Sequence, residues 1–356
     1  MLKRFTLSVV MIVAMGTTYS FAKIWRVNNN SNIAADFTTL QSAHNGAAAG
    51  DTLHLEGSAT SYGALTCTKK LIIIGPGYFL GQNDNTQALK QTALVGSVTL
   101  NTGSAGSVIM GLDFNGSGVA VFSNDIVIRR NKFSSNNGAI YDWTAGPVDV
   151  YYLSNNSSIP VNNVVITQNY GVRIDINYAS NGILISNNYI LYGSAYGNSI
   201  NSNSLYIQPN GIALVQNNVI RNGKVVANNS NFTNNIMVAG VFEGTGNLVS
   251  NNISNADQFG TTNGNLANVD MTTVFVGAGS NISPDAQWKL KAGSPAIGAG
   301  YGSTVATPID AGIYSGHTPY VLAGLPPIPA VYFFENQPVG SNSDPIKVTV
   351  KVKSVN

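Results

Sequence analysis

One eight-residue pattern recurs along the middle of the chain and restricts what the chain can fold into. Aligned as octets it reads Ile183-Leu-Ile-Ser-Asn-Asn-Tyr-Ile190, Ala213-Leu-Val-Gln-Asn-Asn-Val-Ile220, Ser230-Asn-Phe-Thr-Asn-Asn-Ile-Met237 and Asn247-Leu-Val-Ser-Asn-Asn-Ile-Ser254. Two earlier segments, 126–133 and 164–171, fit the same frame. The third position is apolar in all six (Ile128, Ile166, Ile185, Val215, Phe232, Val249) and the sixth is always Asn.

The sixth-position residues Asn131, Asn169, Asn188, Asn218, Asn235 and Asn252 are separated by 38, 19, 30, 17 and 17 residues. A unit of 17 to 19 residues, with one double step at 38 and one step lengthened by an insertion, lies near the short-repeat range of solenoids. So short a unit has room for strands and not for a helix pair. A short apolar, often β-branched run that ends at a polar turn is a buried strand. Stacked in parallel register, such strands set each Asn over the Asn of the next coil, where the amides bond to one another and to the turn backbone as a structural ladder. Asn also marks turns in general, but that preference does not explain a fixed offset behind an apolar strand position.

The first 22 residues have the form of a signal peptide. Lys3 and Arg4 precede an apolar run, residues 5–14, and Ser20, Phe21 and Ala22 form a small-residue cleavage site. The run is shorter than a membrane span, so the processed chain is expected outside the cytoplasm: secreted, at the cell surface or in the periplasm, with no transmembrane segment. Removal of Lys3 and Arg4 leaves sixteen basic residues facing sixteen acidic ones. A chain only 10% charged and neutral after processing has no basic footprint for nucleic acid. Cys67 is the single cysteine, which excludes an intrachain disulfide; alternating with polar neighbours, it reads as a core thiol.

From Asp36 to Ala49 the pattern changes. Asp36 suits the start of a short helix with Phe37, Leu40, Ala43 and Ala47 on one face, and such a helix would cap the open N-terminal strand edge. Residues 37–43, 49–53, Tyr62-Gly63 and 71–77 then resemble the opening of secreted right-handed parallel β-helix proteins of the pectate-lyase-like superfamily. Residues 288–300 and 310–314 are similar to the last coil of its bacterial secreted members, of Bacteroidetes type. The resemblance covers roughly residues 24–316 and implies fold more than activity. The expected architecture is therefore all-β: a right-handed parallel β-helix over residues 23–318, with an N-terminal helical cap. A Pro-rich linker over 319–330 and a C-terminal β-strand appendage over 331–356 follow. Residues 346–353 alternate apolar and polar, a one-sided strand that cannot stand as a lone hairpin. It is expected to pack on the solenoid or to pair with a protein partner.

Two insertions break the rhythm. The first, residues 138–159, holds Tyr141, Asp142, Trp143, Asp149, Tyr151 and Tyr152. The second, residues 191–210, holds Tyr192, Tyr196 and Tyr206. Aromatic faces stack on sugar rings and carboxylates bond to hydroxyls, so the first cluster is the candidate ligand-binding site. The same rings would equally serve to seal one side of the helix. Asp113, 18 residues before Asn131, is a candidate for the ladder column or else a surface turn residue.

The superfamily includes pectate lyases, polygalacturonases and pectin methylesterases, which implies either calcium-holding carboxylates with a basic residue or close aspartate pairs. The sequence carries no paired-Asp segment, no Arg-x-Pro-x-x-Arg run and no histidine in its central coils. Arg173 and Asp175 fall on one strand face, where an exposed ion pair is the expected role. Asp142 and Asp149 would suit calcium, but no motif indicates it and no other cofactor is implied. No catalytic residue is assigned. The function expected is a non-catalytic secreted or cell-surface protein binding polysaccharide or another extracellular polymer. The alternatives are a polysaccharide lyase or hydrolase and a structural assembly subunit.

Overall fold

A computed structural model of the protein describes residues 22–134, 150–153, 160–176, 179–191 and 203–354. Strands dominate, and almost all pair in parallel. One sheet of ten strands runs from Ile24–Val27 through Ile72–Ile74, Val127–Arg129, Val165–Thr167 and Ile183–Ser186 to Leu248–Ser250. A second sheet of twelve strands includes Leu65–Cys67, Val150–Leu153, Tyr170–Ile176, Asn203–Ile207, Val219–Val226 and Ile236–Glu243. Each coil gives one strand to the first sheet and then turns into the second, so the chain is an all-β parallel solenoid.

Register follows from the octet. Ile109, Ile128, Ile166, Ile185, Val215, Phe232 and Val249 are successive strand partners, and all but Val249 are fully buried. Parallel strands spaced roughly 4.8 Å apart put these like side chains in contact, forming one continuous core with residues such as Ile174, Ile190, Leu205 and Val225 from the second sheet. Cys67 lies in that core, and burial pushes its thiol above its ordinary value.

The 38-residue step between Asn131 and Asn169 is one coil, not two. Val127–Arg129 pairs directly with Val165–Thr167, and Val150–Leu153 supplies the same coil's strand in the second sheet. Sequence distance does not distinguish a skipped rung from an inserted loop.

Near the N-terminal end one α-helix, Leu40–Gly46, buries Leu40, Ala43 and His44. It starts later than the sequence suggested. Val27 bridges Phe37, which keeps the chain extended up to Thr39, and Thr39 caps the helix in a reciprocal pair with Ser42. Asp36 instead accepts the Arg26 backbone N–H at 2.8 Å.

Beyond Ile253–Ser254 the described residues contain no further parallel strand of either sheet. The stretch 288–314, expected as a last coil, lies outside the core. Its apolar side chains join a second cluster in which Tyr78, Tyr189, Trp288, Ile313 and Tyr320 are buried. Residues 299–325 return along the solenoid against the order of the coils. Asn251 Nδ2 donates to Ala299 O (3.0 Å), Asn187 Nδ2 to Ser315 O (2.7 Å) and Arg130 Nη1 to Leu325 O (2.8 Å). Tyr320, Ala323 and Leu325, within the expected linker 319–330, are accordingly buried.

The chain ends in an antiparallel hairpin, Ala330–Asn336 with Val348–Lys353, which forms a sheet of its own. Val348, Val350 and Val352 are all exposed, as is Phe334, the partner of Val350. Among the described residues no helix is long and apolar enough to cross a membrane.

Candidate functional site

The turn between the two sheets is built from two adjacent residues with different tasks. Position five of each octet takes the left-handed conformation: φ is 56° at Arg130, 59° at Gln168, 54° at Asn187 and Asn217, 59° at Asn234 and 55° at Asn251. Asn is among the few residues that tolerate this region readily, which accounts for the Asn-Asn pairs. Position six points inward. Asn188 Nδ2 donates to Asn218 Oδ1 (3.1 Å) and to Ile166 O (2.8 Å), and the same Asn218 Oδ1 accepts the Asn188 backbone N–H at 2.9 Å.

This unit repeats from Asn131 to Asn252 and ends on Asn265, a seventh rung 13 residues further on. Sequence reasoning missed Asn265 because its coil lacks the apolar octet. Asn131 through Asn252 are fully buried. Asp113 is not in this column. Leu112 occupies the position there, its N–H donating to Asn131 Oδ1, and Asp113 pairs with Lys132 Nζ at 2.8 Å.

The second sheet presents a more chemical face. Ile174, Ile176, Leu205, Ile207 and Val225 point into the core, so alternation turns Arg173, Asp175, Tyr206, Lys224 and Val226 outward. Register aligns them across strands. Tyr152 is the partner of Asp175, Asp175 of Tyr206, Tyr206 of Val226 and Val226 of Glu243. Arg173 Nη2 meets Asp175 Oδ2 at 3.0 Å, and Lys224 Nζ meets Glu243 Oε1 at 2.9 Å.

The Arg173–Asp175 pair is not the exposed ion pair expected from alternation. The two side chains are only 17% and 6% exposed, and Asp175 Oδ1 is buried with no hydrogen-bond partner among the described residues. Burial raises the Asp175 carboxyl to about 6 against the opposing pull of Arg173. A carboxyl so placed can bond to a ligand hydroxyl or exchange a proton near neutrality. Three strand steps, roughly 14 Å, separate its row position from that of Glu243, wider than the spacing of a hydrolytic carboxylate pair. Among the described residues no three His, Cys, Asp or Glu side chains gather as a metal centre.

Of the residues singled out in the sequence, Tyr141, Asp142, Trp143 and Asp149 lie outside the described residues. Tyr151 and Tyr152 sit on Val150–Leu153, in register with Ile174 and Asp175. Tyr206, read from sequence as part of an insertion, is on a strand of the second sheet. Lys224 and Glu243 were not singled out; the alternation of Lys224, Val225 and Val226 was the available signal.

The buried carboxyl sets a pH dependence. The folded-state value of Asp175 lies above the unfolded one near 4. Its contribution to stability is therefore full below about pH 4 and is lost as pH rises through about 6. Thermal melts between pH 4 and 7 should show a smaller decline for Asp175→Asn than for wild type. Parallel curves for the two proteins would contradict the assignment.

No protein-family model matches the chain, and no curated protein matches it.

Proposed function

We propose that this chain is an exported right-handed parallel β-helix that binds an extracellular glycan along the outer face of its second sheet without cleaving it. One observation carries the reading: Tyr152, Asp175, Tyr206, Val226 and Glu243 share one register row, and Arg173 and Lys224 stand two residues before Asp175 and Val226 on their strands. An extended polymer crossing these strands meets aromatic, acidic and basic groups in turn. Rings offer apolar faces to sugars, and the charged groups offer donors and acceptors to hydroxyls or acidic substituents. Tyr141, Asp142, Trp143 and Asp149, which lie outside the described residues, are assigned to the same site because they precede Val150–Leu153 in sequence. Glu243, three strand steps from Asp175, stands wider than a hydrolytic carboxylate pair, which supports binding over hydrolysis.

The N-terminal basic and apolar segment supports export, and the helix Leu40–Gly46 is read as the cap of the first coils. The exposed apolar face of the C-terminal hairpin favours a second role as an appendage that pairs with a protein partner.

The test is a polysaccharide array on the processed protein, residues 23–356, with and without calcium, read for retention and for new reducing or unsaturated ends. Retention without cleavage is expected, reduced about tenfold (~1.4 kcal/mol) by Tyr206→Ala or Lys224→Ala. Cleavage abolished by Asp175→Asn would replace the binding reading with an enzymatic one.

A further inference from the structure

The outer face of the first sheet carries a separate groove at its C-terminal end. Leu184, Leu214, Asn231 and Leu248 are successive strand partners there, and beside them run Ser186, Gln216, Thr233 and Ser250. The floor thus consists of a largely apolar column next to a polar one, both parallel to the solenoid axis. Leu248 is 71% exposed and Leu214 37% exposed, two open leucines on one face on either side of Asn231.

The returning chain supplies Tyr301 at one side. Its backbone N–H is held by Asn234 Oδ1 at 2.7 Å, while the residue as a whole remains 66% exposed. Two adjoining depressions, each of about 490 Å³, share Leu214, Asn231 and Leu248, so the groove extends over four coils.

Among the described residues no charged side chain lines either depression. The amide of Gln216, Asn231 Nδ2 and the hydroxyl of Tyr301 make no hydrogen bond among the described residues, whereas Asn231 Oδ1 already accepts from Thr233 Oγ1 at 2.8 Å. We propose that this groove binds a neutral polysaccharide lying along the solenoid axis. Its sugar rings would rest on Leu184, Leu214, Leu248 and Tyr301, with hydroxyls bonded to Gln216, Asn231, Thr233 and Ser250. The physical basis is repetition. Each coil advances roughly 4.8 Å, close to the advance of one residue in an extended glycan, so successive sugars meet successive strands, with leucine at three of the four positions and Asn231 at the other. The absence of charge selects against acidic chains, which would lose hydration here without an opposing cation.

This proposal does not rest on the second-sheet reading, and its test separates them. Retention is measured by affinity electrophoresis in gels containing mannan, xyloglucan or laminarin, with polygalacturonate as the acidic control. Wild type should be retarded by at least one neutral polymer and not by polygalacturonate through this groove. Leu248→Asp and Tyr301→Ala should each weaken neutral-polymer retention at least tenfold, while Asn336→Ala on the exposed C-terminal hairpin leaves it unchanged. Both groove positions are exposed, and an unaltered circular dichroism melt would verify folding. The proposal is overturned if no neutral polymer is retained or if the groove variants bind like wild type. Concentration-dependent dimerisation lost on Leu248→Asp, without any glycan retention, would assign the groove to a second copy and likewise overturn it.

Discussion

Replacing Asn188 with Ala should cost the protein roughly 3–5 kcal/mol, because one side chain serves three coils and leaves several buried groups orphaned. Asn188 Oδ1 accepts both the backbone N–H (2.9 Å) and the side-chain Nδ2 (3.0 Å) of Asn169, and its own Nδ2 satisfies Ile166 O at 2.8 Å and Asn218 Oδ1 at 3.1 Å. Alanine removes all four bonds in a fully buried column. Each abandoned buried group carries about 1–3 kcal/mol of desolvation, partly relieved where a second partner persists. Asn188→Asp should be worse near neutral pH. It keeps the acceptor, loses the donor and sets a carboxylate oxygen against Asn218 Oδ1 in a site with no cation. Urea unfolding checks both variants against Asn336→Ala on the exposed hairpin, expected within about 0.5 kcal/mol of wild type. A change that small at Asn188 would mean the ladder is ornamental.

Asp285→Ala should release the returning chain while sparing the coils beneath it. Asp285 is fully buried. Its Oδ1 accepts from Ser283 Oγ (2.6 Å), Ala286 N (3.1 Å) and Asn83 Nδ2 (3.2 Å), and its Oδ2 accepts from Ala323 N at 2.6 Å. Hydrogen bonds to a charged acceptor are about twice as strong as neutral ones, and here they tie three sequence-distant segments at one point. The Asp285 backbone carbonyl also accepts from Tyr314 Oη at 2.8 Å, and nearby Tyr78 and Tyr320 share a hydroxyl contact of 2.7 Å. A loss of about 3–5 kcal/mol is expected from the stranded donors. Hydrogen exchange locates it: the amides of Gly312, Tyr320 and Ala323 should lose protection, while those of Asn188 and Asn218 keep theirs. Uniform loss across both sets would show that the returning chain and the coils unfold as one unit; no loss at Ala323 would remove Asp285 from this role.

These two experiments probe features that were unequally visible in the sequence. Asn188 and its column were legible because every coil repeats the same local requirement, an apolar residue three places before an inward amide. Asp285 gave no such sign. Its donors come from Asn83 and Ala323, residues that no periodicity links to it. The same difference separates the two halves of the turn. Position six reads as an amide ladder, but position five looks like composition until the fold shows Asn187 and Arg130 left-handed and holding carbonyls 126 to 195 residues away.

The candidate sites follow this division. Alternation alone put Arg173 and Asp175 on one strand face, yet it gave the pair an exposed role, and only the packed second sheet shows Asp175 buried and aligned with Tyr206. The groove on the first sheet had no sequence signature. Leu214 and Leu248 look like ordinary strand residues, and Tyr301 reaches them because the chain reverses beyond Ile253–Ser254.

The sequence by itself determined the parallel coiling, the core column from Ile128 to Val249 and the amide column behind it. Each of these is a contact between identical positions of successive repeats, and a period carries that information. Only the tertiary structure decided where residues 255–325 go, which outward faces they cover and which they leave open. Those outcomes depend on single contacts between unlike, distant segments, such as Tyr189 against Trp288 with ring centres 4.5 Å apart, and no local pattern encodes which partner a buried aromatic face will find.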